Sequence, residues 1–239
     1  MTDLATYALD DGIATIALDD GKANALSIAM LTRLHALLDQ AEQDGAVVVL
    51  VGREGRFSAG FDLKVFQSGD GDAVLEMLRL GATLAERILS FPTPVVIGCT
   101  GHAIAAGSFL ALAADVRIGA DGPFQLGLNE VRIGLTVPWW AIALARQRLT
   151  TADFDRAVVL ARMYDPREAV AAGFLDRLVA PEQVRAEALA AAAELKQLNM
   201  TAHHATKLRA RQPTLRAIRA AVEQELASFE GLGMTSAPV

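Results

Sequence analysis

Apolar residues in the first half of the chain occur in short runs that are typical of β-strands. The run Ile13–Leu18 follows the turn dipeptide Asp11-Gly12, so residues 7–18 are predicted to form a β-hairpin. Val47–Val51 is apolar and largely β-branched, which is typical of a strand covered on both faces. Residues 95–97 and 116–118 repeat this pattern. The sequence therefore predicts several buried strands.

Between these strands the apolar positions change to helical spacing. Ser27 can cap a helix that continues to Gly45, and another helix is predicted over residues 72–90. The apolar positions that define the first of these helices are Leu31, Leu34, Leu37, Leu38 and Ala41. Strands that alternate with helices predict βαβ units, and therefore the α/β class.

The pattern changes after about Val179. From Pro181 to residue 199 the chain is rich in Ala and Glu, and residues 201–229 continue with helix formers that we expect to be broken at Pro213. No strand pattern returns. We therefore predict a core at residues 1–179 and a helical region at residues 180–239, which packs on its own core or on another subunit.

The composition excludes several classes of function. The 239 residues include 28 Asp+Glu and 22 Lys+Arg, a net charge of −6. Because the basic residues are also scattered, neither nucleic acid nor a membrane surface is an expected partner. One cysteine and four dispersed histidines offer no metal-ligand spacing. Neither end of the sequence resembles a targeting signal, so we expect a cytoplasmic protein.

One uncharged stretch, residues 88–114, is long enough to span a bilayer. Two prolines and several glycines within it would interrupt a single helix repeatedly. We interpret the stretch as a buried strand, a glycine-containing turn and a buried helix.

Three segments carry candidate chemistry at the junctions between predicted strands and helices, where α/β proteins place ligands. In the first, Gly60 permits a sharp turn that could direct the N–H of Phe61 into a cavity. In the second, residues 101–110, small residues open a helix whose first N–H groups lack intrahelical acceptors. Two such donors that converge form an oxyanion hole. In the third, residues 124–140, Glu130 stands in an apolar run, and burial would raise its pKa towards that of a general base.

The sequence also contains the residue types of a hydrolase triad. Ser108, His102 and Asp115 would supply them, but the residues around Ser108 do not form a Gly-x-Ser-x-Gly elbow. Cys99 ends an apolar strand and is expected to be inert core. We therefore regard a triad hydrolase as a minor alternative.

In this order, the three segments resemble the crotonase (enoyl-CoA hydratase/isomerase) superfamily over essentially the whole chain. Phe57-Ser-Ala-Gly-Phe-Asp-Leu63 is similar to the family's first oxyanion segment, and Gly101 to Asp115 is similar to its second. The resemblance implies a spiral of ββα turns and a C-terminal helical part that builds a homotrimer or a dimer of trimers. It further implies that the backbone N–H groups of Phe61 and Ala106 bind the thioester oxygen of an acyl-CoA. Coenzyme A would enter as part of the substrate, with no metal or separate cofactor.

Two glutamates act on one water in the hydratases of this family. The position that matches the first is Phe109, which cannot transfer a proton, and the second is retained as Glu130. Leu128-Asn-Glu130, followed by Gly134, is similar to the pattern of single-glutamate Δ3,Δ2-enoyl-CoA isomerases. We therefore predict isomerisation of 3-enoyl-CoA to 2-enoyl-CoA. An enoyl-CoA hydratase, another crotonase-type lyase or hydrolase, and a non-catalytic acyl-CoA-binding protein remain as alternatives.

The resemblance also implies where the substrate is contacted. The expected acyl-pocket residues are Phe66, Phe109, Leu126, Trp139 and Trp140. The expected CoA-binding residues are Lys22, Ala23, Ala25, Ala59, Asp62, Leu63 and Lys64.

Overall fold

The computed structural model describes residues 3–231, with side chains through residue 224. The strands are β1 (Ala5–Asp10), β2 (Ile13–Leu18), β3 (Ala25–Leu26), β4 (Val47–Val51), β5 (Gly55–Ser58), β6 (Gly60–Phe61), β7 (Val95–Cys99), β8 (Gly101–Ile104), β9 (Val116–Ala120), β10 (Leu126–Gly127), β11 (Met163–Tyr164) and β12 (Arg177–Val179). The α-helices are α1 (Ile28–Gln43), α2 (Leu63–Gln67), α3 (Gly71–Ser90), α4 (Ala106–Ala113), α5 (Trp139–Arg148), α6 (Thr151–Val158), α7 (Pro166–Ala172), α8 (Val184–Leu195) and α9 (Met200–Gly231). Short 3₁₀ helices cover Val131–Ile133 and Pro181–Gln183. The expectation of a cytoplasmic protein depends partly on the two ends of the sequence. Residues 1–2 and 232–239 of these ends lie outside the described residues.

The largest sheet has six strands in the order β1-β2-β4-β7-β9-β12. Its first two strands, β1 and β2, form the predicted hairpin. Asp11 and Gly12 close this hairpin with φ of 43° and 71°, and a two-residue turn of this type requires positive φ at both residues. The other neighbours in this sheet pair in parallel. The predicted strands at 47–51, 95–97 and 116–118 and the α/β class are therefore confirmed.

Both faces of this sheet are covered. Val47, Val49 and Val51 contact one apolar cluster that includes α8, whereas Val48 and Leu50 contact the main core. Successive side chains of a strand point to opposite faces, so a strand buried on both sides must be apolar at every position. The uncharged run therefore reflects a central position between two layers.

A second sheet has the order β11-β10-β8-β5, and β3 pairs with β6. After β4, β7 and β9, which belong to the large sheet, the chain enters the second sheet at β5, β8 and β10 respectively. Helices α3, α4 and α5 then follow these three strand pairs. This ββα repetition places the ends of β5, β8 and β10 beside one another, where the candidate segments lie.

The described residues after Val179 contain helices and no strand, as the sequence predicts. The expected break at Pro213 is wrong, since α9 continues through that residue. A proline removes one helical hydrogen bond, but tertiary contacts hold α9 on both sides of it. Lys207 Nζ lies 2.7 Å from Asp115 Oδ2 before the proline, and Leu215 and Ile218 are buried in the main core after it.

The uncharged stretch 88–114 contains the end of α3, strands β7 and β8, and α4. The predicted buried strand and buried helix are therefore confirmed as β7 and α4, but the segment expected to be a glycine-containing turn includes a second strand, β8. Over residues 3–231, the structure has no helix that combines the length and apolarity needed to cross a membrane.

Candidate active site

The first candidate segment is held by a network of buried polar groups. Asn24 adopts a left-handed φ of 53°, and its amide donates to the carbonyl oxygens of Leu18 and Phe57, each at 3.1 Å. Ser58 Oγ donates to Asn24 O at 2.7 Å and accepts from the Gly60 N–H at 3.2 Å. Together these bonds join β3 to the turn before β6. Asn24 and Ser58 were not predicted as positioning residues, although an asparagine in a loop favours such a left-handed turn.

The second segment contains an unusual backbone conformation at Ala105. Its φ of 52° and ψ of −123° are strained for a residue with a Cβ. The Ala105 N–H donates to Gly127 O at 2.8 Å, and α4 begins at the next residue. As the first residue of that helix, Ala106 has an N–H with no intrahelical acceptor, at the end of the helix dipole that favours negative charge. The predicted helix start is therefore confirmed, while its role in binding an oxyanion stays a prediction.

The two predicted oxyanion segments are in direct contact. A Cβ added to Gly60, which has a φ of 87°, would lie 2.8 Å from Ile104 O and 3.1 Å from Ala106 N. A Cβ added to Gly107 would lie 2.6 Å from Ser58 O. Only glycine at both positions allows the two backbones to approach this closely. The fold thus brings Phe61 and Ala106 close together from separate turns of the chain.

Glu130 immediately precedes the 3₁₀ helix in the third segment and is only 6% exposed. Its carbonyl accepts the N–H of Leu135 at 2.9 Å, after a turn in which Gly134 has a φ of 78°. Its side-chain Oε2 is buried without a hydrogen-bond partner among the described residues. Burial raises the pKa of the Glu130 carboxyl from 4.5 to about 7. This group can therefore exchange a proton near neutral pH.

A cavity of about 370 Å³ joins these segments. Of the predicted site residues, the following line it: Ala59, Phe61, Leu63, Phe66 and Glu130. Further lining residues, which the sequence analysis did not single out, include Val74, Leu78, Asn129, Ile133, Leu135 and Pro138. The walls are mostly apolar, and Glu130 is the one titratable side chain among the described lining residues. The cavity thus suits an apolar group held next to a buried carboxyl.

Four predicted acyl-pocket residues are not among the residues that line this cavity. Phe109 and Trp140 are each 1% exposed and pack edge to face in the core, with ring centroids 5.3 Å apart. Leu126 is also buried in the core. Trp139 is 57% exposed and lines a groove between α5 and α9. The structure does not place these four side chains in the cavity. Helices α4 and α5 turn Phe109 and Trp140 towards each other, α5 turns Trp139 towards the groove, and Leu126 in β10 packs in the core.

The predicted CoA-binding residues lie on neighbouring elements. Ala25 is in β3, which pairs in parallel with β6, and the Ala59 N–H donates to Ala23 O at 3.0 Å. Asp62 caps α2 by accepting the Lys64 N–H at 3.0 Å, as expected for a short side chain after Gly60. Lys22 and Lys64 are exposed. The fold gathers these residues, but their contact with CoA stays a prediction.

The triad alternative is not supported. Ser108 Oγ donates to Ala103 O at 2.7 Å, and His102 Nδ1 accepts the Gln125 N–H at 3.1 Å. Asp115 forms ion pairs with Lys207 and Arg211. Each of the three side chains therefore serves a separate structural contact. Within residues 3–231, no three His, Cys, Asp or Glu side chains are grouped in a way that could hold a metal.

The buried carboxyl of Glu130 and Ala105, the residue that precedes α4, line one apolar cavity in a spiral of ββα turns. That combination defines a class of α/β enzyme able to stabilise an oxyanion while a proton moves. The chain belongs to the enoyl-CoA hydratase/isomerase family, whose model matches residues 8–236. The predicted crotonase-type fold is thereby confirmed, and the protein is an enzyme of this family.

Relatives of the chain carry both activity names. A solved enoyl-CoA hydratase/isomerase family protein from Pseudomonas syringae is 49% identical, with a TM-score of 0.91 over 94% of this chain and 97% of that one. The probable enoyl-CoA hydratase EchA3 from Mycobacterium tuberculosis is 44% identical, with a TM-score of 0.93 over 95% and 97% of the two chains. Human mitochondrial enoyl-CoA delta isomerase 1 is 30% identical over 85% of this chain and 68% of its own length.

Proposed function

We propose that this enzyme converts 3-enoyl-CoA thioesters to 2-enoyl-CoA thioesters, with Glu130 as its only acid/base group. The observation that carries the proposal is that Glu130 is the one titratable side chain among the described residues of the cavity wall. Its Oε2 has no partner there, and burial raises the pKa of the carboxyl to about 7. A base with this pKa is well matched to removing and returning a proton at neutral pH.

The reaction requires negative charge to be stabilised at the thioester oxygen. When Glu130 removes a proton from C2, the C–H electron pair enters a dienolate, and charge develops on that oxygen. The N–H groups of Phe61 and Ala106 are the proposed donors, and the dipole of α4 favours the charge further. Glu130 then returns the proton at C4, and the double bond ends between C2 and C3. The substrate and product have the same atoms, so no water or other reactant is consumed.

Hydration of 2-enoyl-CoA is the competing assignment, because some relatives are named hydratases. Adding water would be assisted by a second acid/base group opposite Glu130. The matching position is Phe109, whose ring packs against Trp140 in the core. These features favour isomerisation over hydration.

The two activities can be separated by incubating the purified enzyme with 3-hexenoyl-CoA and, separately, with 2-hexenoyl-CoA. Liquid chromatography with mass spectrometry distinguishes isomerisation, which preserves mass, from hydration, which adds one water. We expect isomerisation of the first substrate to exceed hydration of the second.

The variant Glu130→Gln should isomerise roughly 10²–10⁴-fold more slowly, the contribution of a general base, while still binding acyl-CoA. Glu54→Gln is the matched control, since Glu54 is exposed and is not among the residues that line the cavity. Hydration at a rate equal to or above isomerisation would contradict the proposal. So would a Glu130→Gln enzyme of undiminished activity.

We also propose that the enzyme works as a homotrimer or a dimer of trimers in the cytoplasm. Support for assembly comes from four exposed apolar residues in two adjacent segments: Val131, Ile133, Val159 and Leu160. Arg132 Nε joins these segments by donating to Ala161 O at 2.6 Å. An apolar surface of this kind is typical of a protein interface.

A further inference from the structure

Helix α3 presents an apolar stripe to the cavity that ends at a glycine. Val74 and Leu78 line the cavity, and Gly81 follows three residues after Leu78. Residues at this spacing lie on one face of a helix, so Gly81 continues the same stripe without a side chain. Gly81 is buried, and glycine in the middle of a helix costs about 0.5–1 kcal/mol relative to alanine. A packing contact must therefore offset the cost of glycine at position 81.

The space left by Gly81 is occupied by the ring of Phe61. A Cβ added to Gly81 would lie 2.4 Å from Phe61 Cζ and 2.5 Å from Cε1. These distances are far below van der Waals contact, so the ring rests directly on the backbone of α3. Phe61 also lines the cavity, and its backbone N–H is a proposed oxyanion donor. Phe61 would thus contact the thioester through its backbone N–H and the acyl chain through its ring.

We propose that Gly81, by giving the Phe61 ring a place against α3, determines the length of acyl chain that the enzyme accepts. This inference rests on the proposed function only in requiring an acyl-CoA in the cavity. A volume of about 370 Å³ corresponds to roughly twelve groups of the size of water, at about 30 Å³ each. The structure therefore points to apolar acyl groups of medium length as the substrate class.

A side chain at position 81 would move the ring away from α3. The main chain of Phe61 is held by the pairing of β6 with β3, so the flexible ring must give way. The open space next to it is the cavity that Phe61 already lines. Gly81→Ala should therefore shorten the cavity, with little change near Glu130.

The test measures binding of saturated acyl-CoAs of four to sixteen carbons by calorimetry, because these ligands cannot be isomerised. We expect wild type to bind decanoyl-CoA more tightly than butanoyl-CoA. In Gly81→Ala, decanoyl-CoA should bind at least about tenfold more weakly, since each methylene that loses its apolar contact costs roughly a factor of four. Butanoyl-CoA should change less than about twofold, because a short chain does not reach the displaced ring.

Phe61→Leu supplies the matched control because it keeps the backbone N–H and removes the ring. In this background, Gly81→Ala should no longer weaken decanoyl-CoA, as the new methyl group meets no ring. Phe61→Leu alone should move the preference to longer chains, which keeps the inference testable if Gly81→Ala does not fold. Equal losses for short and long chains, or the same loss in both backgrounds, would overturn the inference. A wild type that binds these thioesters but isomerises none would refute the proposed reaction and leave the inference standing.

Discussion

Replacing Glu130 with glutamine should make the stability of the enzyme less sensitive to pH. Burial raises the pKa of this carboxyl from 4.5 to about 7. The folded state therefore keeps the proton over a pH range in which the unfolded chain has already lost it. The stabilisation of the folded state by this retained proton is fully present below about pH 4.5. It is lost as the pH rises through about 7.

The size of the effect follows from the two pKa values. A rise from 4.5 to about 7 corresponds to roughly 3 kcal/mol between the limits of low and high pH. About 2 kcal/mol of this should be lost between pH 5.5 and pH 8.5. The amide of the Glu130→Gln variant is neutral throughout this interval, so the variant buries no charge when the pH rises. It should therefore gain about 2 kcal/mol relative to wild type between these two pH values.

Urea unfolding of both proteins at the two pH values, at one protein concentration, measures this difference. Glu54→Gln serves as the control, since it removes a carboxylate from the exposed turn between β4 and β5 and no buried charge. The difference in free energy of unfolding between wild type and Glu130→Gln could instead stay constant from pH 5.5 to pH 8.5. That result would show that Glu130 is not desolvated, and the argument that it acts as a base near neutral pH would fail.

Four further outcomes are expected. Ala105→Gly should raise the free energy of unfolding by about 1 kcal/mol in urea titrations, because glycine relieves the strained φ of 52° at some cost in chain entropy. Gly60→Ala should lower isomerase turnover at least about tenfold, since its Cβ would lie 2.8 Å from Ile104 O and separate the two oxyanion segments. Phe109→Glu should lower the thermal midpoint and add no hydratase activity, because it buries a charge against Trp140. Light scattering should report a trimer or hexamer, and a stable monomer at micromolar concentration would exclude that assembly.

Local chemistry in the sequence was sufficient to predict most elements. Asp11-Gly12 closes a hairpin because few other dipeptides place two residues at positive φ. Ser27 caps α1 by accepting the Met30 N–H at 3.2 Å. In each case the decisive interaction lies within a few residues along the chain.

The contacts between distant segments could not be predicted in this way. Pro213 favours a helix break locally, yet α9 continues because its two halves are anchored to the core. The sequence indicates that Phe109 is apolar, but only the packing of α4 on α5 decides that it contacts Trp140 and not the cavity. The seating of Phe61 on Gly81 is another contact of this kind.

Patterns along the chain were therefore enough to establish the α/β class, the order of most elements and the three segments that carry the chemistry. Which side chains share the cavity with Glu130, and how closely Gly60 approaches Ala106, depend on the folded arrangement. The physical reason is that helix and strand periodicity specify which face of an element is apolar. They do not specify which other element covers that face, because this depends on the packing of the whole chain.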